Sequence, residues 1–143
     1  LAATAGAGSE AFKATWHPEL NVHTTPWLVD YTLALQEAKT NNSYLLVDIT
    51  APYCSICSAI EQKLFTNNKV SEVLQQLVPV QIDSSNTAHV VHTQLLKKFD
   101  VFGVPTFLLI DPTTETVVKR WGGELYDTSA EAFIAELIPY TCK

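Results

Sequence analysis

The chain has 143 residues, a length typical of one domain. Hydrophobic residues make up 47% and charged residues 17%, a mixture that excludes a disordered chain, a collagen-like repeat and a charged coiled coil. The formal net charge of −6 argues against a nucleic-acid-binding protein, because such proteins need a basic surface. The longest apolar runs, at 44–47 and 107–110, are far shorter than the ~20 residues of a membrane-spanning helix.

The start of the chain differs in composition from the rest. Residues 1–9 are mostly small side chains, a composition typical of a flexible segment. We therefore expect residues 1–20 to be a flexible linker or an expression remnant, and residues 21–143 to form the domain. Because the sequence contains no methionine, we expect it to be a processed form or a fragment of a longer protein.

Helix and strand signals alternate after residue 25, where Thr25 and Pro26 form a helix-start pattern. The elements predicted in chain order are an early strand at 21–24, a helix at 26–39, a strand at 44–50, helices at 55–65 and 69–77, a strand at 78–83, a helix at 88–99, strands at 106–110 and 116–121, and a helix from a capping box at 128–131 to residue 138.

This order predicts an α/β domain with a small mixed β-sheet flanked by helices. The nearly continuous apolar run at 44–50 indicates a strand covered on both faces. Strands joined by helices are expected to be parallel to one another, and the hairpin of 106–110 and 116–121 adds an antiparallel strand.

The motif Cys54-Ser55-Ile56-Cys57 follows the predicted buried strand and opens a predicted helix. A sulfur at a helix start meets unpaired N–H groups and the positive end of the helix dipole, which stabilise the reactive thiolate. We expect Cys54 to be exposed and to attack a disulfide, and the shielded Cys57 to resolve the mixed disulfide. Half of a zinc site, completed by His89, His92 or Cys142, and a purely structural disulfide are the alternatives.

Pro105 immediately precedes the strand at 106–110. Because a proline has no N–H to donate to a neighbouring strand, its presence at this position requires an explanation. A cis bond would expose the backbone of Val104. The pattern alone favours the trans isomer, since only ~5–6% of X–Pro bonds are cis.

The segment Val-Asp-Ile-Thr-Ala-Pro-Tyr-Cys-Ser-Ile-Cys at 47–57, followed by Gly-Val-Pro-Thr at 103–106, resembles the thioredoxin superfamily over about residues 26–138. The resemblance implies a thioredoxin-like fold in which Pro105 is cis and packs beside the cysteine pair. It also implies that the backbone of Val104 pairs with an extended segment of the substrate.

Within the superfamily, the sequence resembles the C-terminal periplasmic domains of the DsbD family of transmembrane reductases. Those domains carry acids at the positions of Asp48, six residues before Cys54, and Glu61, seven residues after it. Segments 61–65 and 95–106 also look like that family.

Asp48 lies in an otherwise apolar strand, where desolvation raises the pKa of a carboxyl group. A carboxylate beside a thiol also disfavours its thiolate. We hypothesise that Asp48 and Glu61 govern the ionisation of Cys54 and accept the Cys57 proton during resolution. The alternative is a strand-end Asp facing solvent and a surface Glu.

Four residues are candidate substrate contacts: Tyr53, Phe102, Val104 and Pro105. Tyr53 replaces the tryptophan usual in the family before the first cysteine, and Pro52 replaces a common acid, so partner preference stays open. Phe102 precedes the Gly-Val-Pro segment and is expected to line an apolar docking surface around Cys54.

The resemblance implies a thiol–disulfide oxidoreductase that acts as a reductant on protein disulfides, without metal or organic cofactor because the sulfur pair holds the electrons. Its implied partners are the membrane-embedded and N-terminal domains of the same reductase, which places a monomeric periplasmic domain at the inner membrane. The alternatives are a stand-alone periplasmic thioredoxin-like protein, an oxidant, and a non-catalytic binding module with the same fold.

Overall fold

The computed structural model describes residues 27–141. The predicted linker, the predicted strand at 21–24 and Cys142 lie outside the described residues. Across the described part of the chain, no helix has the length and apolarity needed to cross a bilayer.

Five α-helices and four strands make up the described fold. In chain order they are α1 (Tyr31–Asn41), β1 (Leu45–Thr50), α2 (Ser55–Ile60), which continues into a π-helical turn (Glu61–Phe65), α3 (Asn68–Leu74), β2 (Val78–Asp83), α4 (Val90–Lys98), β3 (Thr106–Asp111), β4 (Thr116–Trp121), a 3-10 helix (Gly123–Asp127), α5 (Ala130–Leu137) and a final 3-10 turn (Ile138–Tyr140).

The four strands form one mixed sheet in the order β2-β1-β3-β4. β1 is parallel to β2 and antiparallel to β3, and β3 forms an antiparallel hairpin with β4. This confirms the predicted small mixed sheet with flanking helices. β1 is an inner strand, and its first five residues are buried, as predicted for a strand covered on both faces.

The predicted direction of β3 is wrong. β3 follows β2 through α4, which favoured a parallel strand, yet it pairs antiparallel to β1 with Thr106 opposite Ile49. The chain enters β3 at the edge of the sheet where β1 and β2 end, because Thr106 is paired with Ile49 near the end of β1.

Two helix starts also differ from the prediction. α1 begins at Tyr31, where the side chain of Asp30 accepts a hydrogen bond from the N–H of Leu33. The preceding residues are extended instead, since Leu28 exchanges backbone hydrogen bonds with Pro79 and Gln81 of β2. The N-cap of α5 is Ser129, not Thr128, whose hydroxyl donates to the carbonyl of Glu124.

The sheet separates two hydrophobic cores, because successive side chains of a strand point to opposite faces. Leu46 of β1 belongs to the core that α2, the π-helical turn, α3 and α5 cover. Its neighbours Leu45, Val47 and Ile49 belong to the second core, which α1 and α4 cover. Asp48 follows Leu46 by two residues and therefore points toward the face that carries α2.

Phe65 closes the π-helical turn at the centre of the first core. Its ring contacts those of Trp27, Phe107 and Phe133 at centroid distances of 5.0, 5.8 and 6.0 Å. The side chain thus ties the segment that follows the cysteine motif to the sheet and to α5.

We predict that Phe65→Ala lowers the free energy of unfolding by about 3–5 kcal/mol, because it leaves a cavity and removes these ring contacts. Denaturant unfolding of the oxidised protein measures the change. Phe102→Ala is the matched control: its side chain is 93% exposed, so the change stays within about 0.5 kcal/mol. Equal losses in the two variants would contradict this account of the core.

Candidate active site at the edge of the sheet

Three chain segments meet at the edge where β1 ends. The register places Thr106, the first residue of β3, opposite Ile49, so the cysteine motif after β1 and the Val104-Pro105 segment before β3 leave the sheet at the same edge. Phe107 is also paired with Trp121, the last residue of β4. The next residue, Gly122, lies against the carbonyl of Pro105: a Cβ at Gly122 would be 3.6 Å from that oxygen.

Cys54 and Cys57 form a disulfide. Cys54 is the N-cap of α2 and is half-buried, whereas Cys57 is 1% exposed. The N–H of Cys57 donates a hydrogen bond to the sulfur of Cys54 over 3.1 Å. Cys54 thus lies at the helix start and Cys57 one turn further in, as predicted, but Cys54 is half-buried and not exposed. A donor aimed at Cys54 also favours a thiolate there once the disulfide is reduced.

Asp48 is fully buried, so the alternative of a solvent-facing strand end is wrong. Burial raises the pKa of Asp48 well above its ordinary value, and the charge of Glu61 raises it further, whereas a hydrogen bond from Gln81 lowers it. Its Oδ1 has no hydrogen-bond partner within residues 27–141. Asp48 is therefore an acid that the fold keeps in an unfavourable environment.

Glu61 begins the π-helical turn one helical turn after Cys57, and its N–H donates to the carbonyl of Cys57. The side chain is half-buried, and burial raises the pKa of Glu61, an effect that the neighbouring Asp48 opposes. A π-helical turn is a rare feature that occurs often at functional sites. Here it starts at the acid that faces Asp48.

Gln81 joins the two acids and was missed in the sequence analysis. Its Nε2 donates to Oδ2 of Asp48 over 3.2 Å and to Oε2 of Glu61 over 3.0 Å. Gln81 is paired with Asp48 in the parallel register of β1 and β2. The available signal was a polar residue between Val80 and Ile82 in a predicted strand, but only the register shows what it faces.

The Val104–Pro105 peptide bond is cis, as the family resemblance implies. Val104 is half-buried and packs against the second core, so its side chain is directed into the fold. The hydroxyl of Thr106 donates to the carbonyl of Gly103 over 2.7 Å and closes the turn around this bond. These contacts fix the loop at the sheet edge.

Tyr53 and Phe102 lie on the surface, with 76% and 93% of their side chains exposed. Ile56, which lies between the two cysteines, is 47% exposed and was not predicted as a contact residue. Tyr53 and Ile56 lie in or next to the cysteine motif, and the segment that carries Phe102 leaves the same edge of the sheet. Exposed aromatic groups at a reactive site are suited to contact a partner.

The histidines named for the zinc alternative are engaged elsewhere. His89 caps α4, and its ring stacks on that of His92 at a centroid distance of 3.6 Å. His92 is buried, and its Nε2 accepts a hydrogen bond from the N–H of Tyr31. Over residues 27–141, no group of three or more His, Cys, Asp and Glu side chains is placed to hold a metal ion.

The fold and the cysteine motif define a thioredoxin-like domain, and the family model described as a thioredoxin-like domain matches residues 31–138. The chain belongs to this family. It is 33% identical over 87 residues to the thiol:disulfide interchange protein DsbD of Actinobacillus pleuropneumoniae serotype 5b, a match that covers 59% of this chain and 15% of that protein. The chain thus matches only a small part of the length of this curated relative.

Solved structures show the same fold. The DsbH oxidoreductase superposes with a TM-score of 0.70 at 16% identity, covering 89% of this chain and 90% of that one. The oxidised C-terminal domain of Neisseria meningitidis DsbD superposes with a TM-score of 0.65 at 18% identity, covering 80% of this chain and 98% of that one.

We predict that Asp48→Asn makes the oxidised protein about 1–3 kcal/mol more stable at pH 8, because the buried carboxyl is costly to ionise. A carboxyl whose pKa is raised by folding contributes stability below its unfolded pKa and loses it as pH rises through the folded pKa. The difference in unfolding free energy between Asp48→Asn and the wild type should therefore become smaller toward pH 4. Denaturant unfolding between pH 8 and pH 4 measures this difference.

Asp127→Asn is the matched control for Asp48→Asn, because Asp127 is an exposed acid outside the site. Its unfolding free energy should follow that of the wild type at each pH. If Asp48→Asn also follows the wild type, the burial of Asp48 does not perturb its ionisation.

Proposed function

We propose that the chain is a thiol–disulfide oxidoreductase that reduces protein disulfides through Cys54 and Cys57. The observation that carries the proposal is the redox pair itself: a half-buried Cys54 at a helix start, in a disulfide with a buried Cys57. Membership of the thioredoxin-like family and the match to DsbD support it.

The reduced pair would act in two exchanges. The Cys54 thiolate attacks a substrate disulfide, an S–S bond forms between Cys54 and the substrate, and the other substrate sulfur leaves as a thiolate. Cys57 then loses its proton and attacks the sulfur of Cys54. The Cys54–substrate bond breaks, so two electrons pass to the substrate and the cysteines become the disulfide seen in the structure.

Asp48 and Glu61 would control the protons of this cycle. Both acids have raised pKa values: Asp48 lies on the sheet face that α2 covers, and Glu61 lies one helical turn after the buried Cys57. The carboxylate of Asp48 would take the Cys57 proton, and the negative charge of the pair would restrain the ionisation of Cys54 until a substrate arrives.

Tyr53, Phe102 and the segment Val104-Pro105 would form the substrate-binding surface. The rigid cis loop offers its backbone as an edge for an extended substrate segment, and the exposed rings add apolar contact. This arrangement favours protein substrates over small disulfides.

The wider circuit would be that of a DsbD-type reductase. Electrons would come from a membrane-embedded domain and pass from Cys54–Cys57 to the N-terminal domain of the same protein in the periplasm. The names and partial coverage of the curated relatives support this context. A reduction potential near that of the oxidant DsbA would instead favour an oxidant, because it reverses the direction of transfer.

We predict that Cys57→Ser traps a mixed disulfide at Cys54, because it removes the resolving thiol. Incubation of the reduced variant with a periplasmic extract, followed by non-reducing electrophoresis and mass spectrometry, should give adducts at Cys54 that dithiothreitol releases. The wild type should reduce insulin disulfides with turnover when dithiothreitol is supplied as the electron donor. Cys54→Ser is the matched control and should form at least tenfold fewer adducts, since Cys57 is 1% exposed.

If neither adducts nor insulin reduction are observed, the exchange function is wrong, and the pair is a structural staple in a binding module. Capture of a reductase's own N-terminal domain would support the DsbD-type circuit. Capture of unrelated substrate proteins alone would favour a stand-alone protein.

We predict that Phe102→Ala raises KM for reduction of a protein disulfide roughly three- to tenfold and leaves the rate with a small aromatic disulfide unchanged. The ring is exposed, so the loss reports substrate contact and not folding. Steady-state kinetics with both substrates measure these two effects separately. Tyr126→Ala is the control, since Tyr126 is an exposed aromatic residue outside the proposed surface; equal KM changes in both variants would exclude a docking role for Phe102.

A further inference from the structure

A single nitrogen atom connects the two acids of the site. Nε2 of Gln81 donates to Oδ2 of Asp48 and to Oε2 of Glu61, at 3.2 and 3.0 Å. A side-chain amide nitrogen carries two hydrogens, so these two bonds use both. The amide therefore fixes one oxygen of each acid as a hydrogen-bond acceptor.

The orientation of the amide follows from its surroundings. If Gln81 presented its oxygen instead, that oxygen would face two carboxyl oxygens, and each acid would need a proton to make a hydrogen bond. With the nitrogen facing the acids, one or both of them can be ionised. The structure adopts this second arrangement.

The two oxygens of Asp48 are consequently not equivalent. Oδ2 accepts from Gln81, whereas Oδ1 is buried and has no hydrogen-bond partner in the described part of the chain. A buried unpartnered oxygen is unfavourable in a folded protein and requires an explanation. When Asp48 takes up a proton, Oδ1 is the oxygen that can hold it without displacing Gln81.

We propose that Gln81 is a positioning residue for the redox cycle: it occupies Oδ2 of Asp48 and thereby presents Oδ1 as the oxygen that exchanges a proton with Cys57. The proposal rests on the proposed function. In the resolving step, the S–H bond of Cys57 breaks and an O–H bond forms at Oδ1. The Cys57 thiolate then attacks Cys54, the substrate leaves as a thiolate, and Oδ1 returns its proton to solvent or to that thiolate.

The elements packed around Asp48 allow this assignment. β2 contributes the neutral Gln81, and β3 contributes the apolar Phe107 opposite Asp48. The helical segment that contains Cys57 contributes Glu61, the charged group that acts on Asp48. A hydrogen-bond donor at Oδ2 thus counteracts both the burial of Asp48 and the charge of Glu61.

The oxidised protein gives a direct test, because its cysteines do not titrate. The titration of the Asp48 carboxyl can be followed by carbon-13 NMR as a function of pH. Its midpoint should lie at higher pH in Gln81→Met than in the wild type, because methionine has a similar length but no hydrogen-bond donor. The midpoint should rise further in Gln81→Glu, which replaces the donor with a third carboxyl. Gln94→Met, an exposed matched control on α4, should follow the wild type.

Kinetics provide the functional readout. In Gln81→Met, the rise in insulin reduction with pH should move to higher pH, and kcat at pH 7 should fall roughly three- to tenfold, because less of the Asp48 carboxylate is available to take the proton. KM should be unchanged, since Gln81 lies beneath the helix and not in the proposed docking surface. A merely structural role would not move the pH profile in this direction.

The results separate the two proposals. If the wild type performs exchange but the Asp48 midpoint and the pH profile of both Gln81 variants match the wild type, the role of Gln81 is overturned. A moved midpoint with an unmoved pH profile overturns the transfer of the Cys57 proton to Asp48. Should Gln81→Met fail to fold, Gln81→Glu decides alone. Absence of exchange in the wild type overturns the proposed function, whatever the midpoints show.

Discussion

A carboxyl group held in the apolar centre of the sheet is the constraint on which the site depends. Asp48 lies on β1 between β2 and β3, on the face of the sheet that α2 covers. Water cannot stabilise its charge there, so the protonation of Asp48 is set by Glu61 and Gln81. Burial thus raises the pKa of this carboxyl group and favours its protonated form.

The sheet order explains how distant segments form one site. β1 carries Asp48 and delivers the cysteine motif at its end; β2 runs parallel to it and contributes Gln81; β3 runs antiparallel and starts with the cis-proline loop. All three contributions therefore gather at one sheet edge, although Asp48 and Pro105 are separated by more than a third of the chain. The central position of β1 makes this possible, since only an inner strand has two neighbours.

Two opposing electrostatic effects act on the sulfur pair. The N–H of Cys57 donates to Cys54 and favours a thiolate, whereas the acids below the helix disfavour negative charge in the same region. The two effects oppose each other at the sulfur pair. The cost is stability, because a buried acid is retained where an apolar side chain would pack better.

The sequence by itself determined the elements, the α/β class, the cysteine pair at a helix start and the burial of β1, because these follow from local periodicity and from the residue types at the motif. It also indicated Asp48, because a charged residue is unusual in an otherwise apolar predicted strand. The start of α1 was wrong because Leu28 pairs with β2, a contact between residues far apart in sequence. Only the tertiary structure decided the antiparallel direction of β3, the π-helical turn at Glu61 and the role of Gln81 as a bridge. Each depends on which strands are neighbours and in which register, and strand pairing is fixed by packing over long sequence separations and not by local preference.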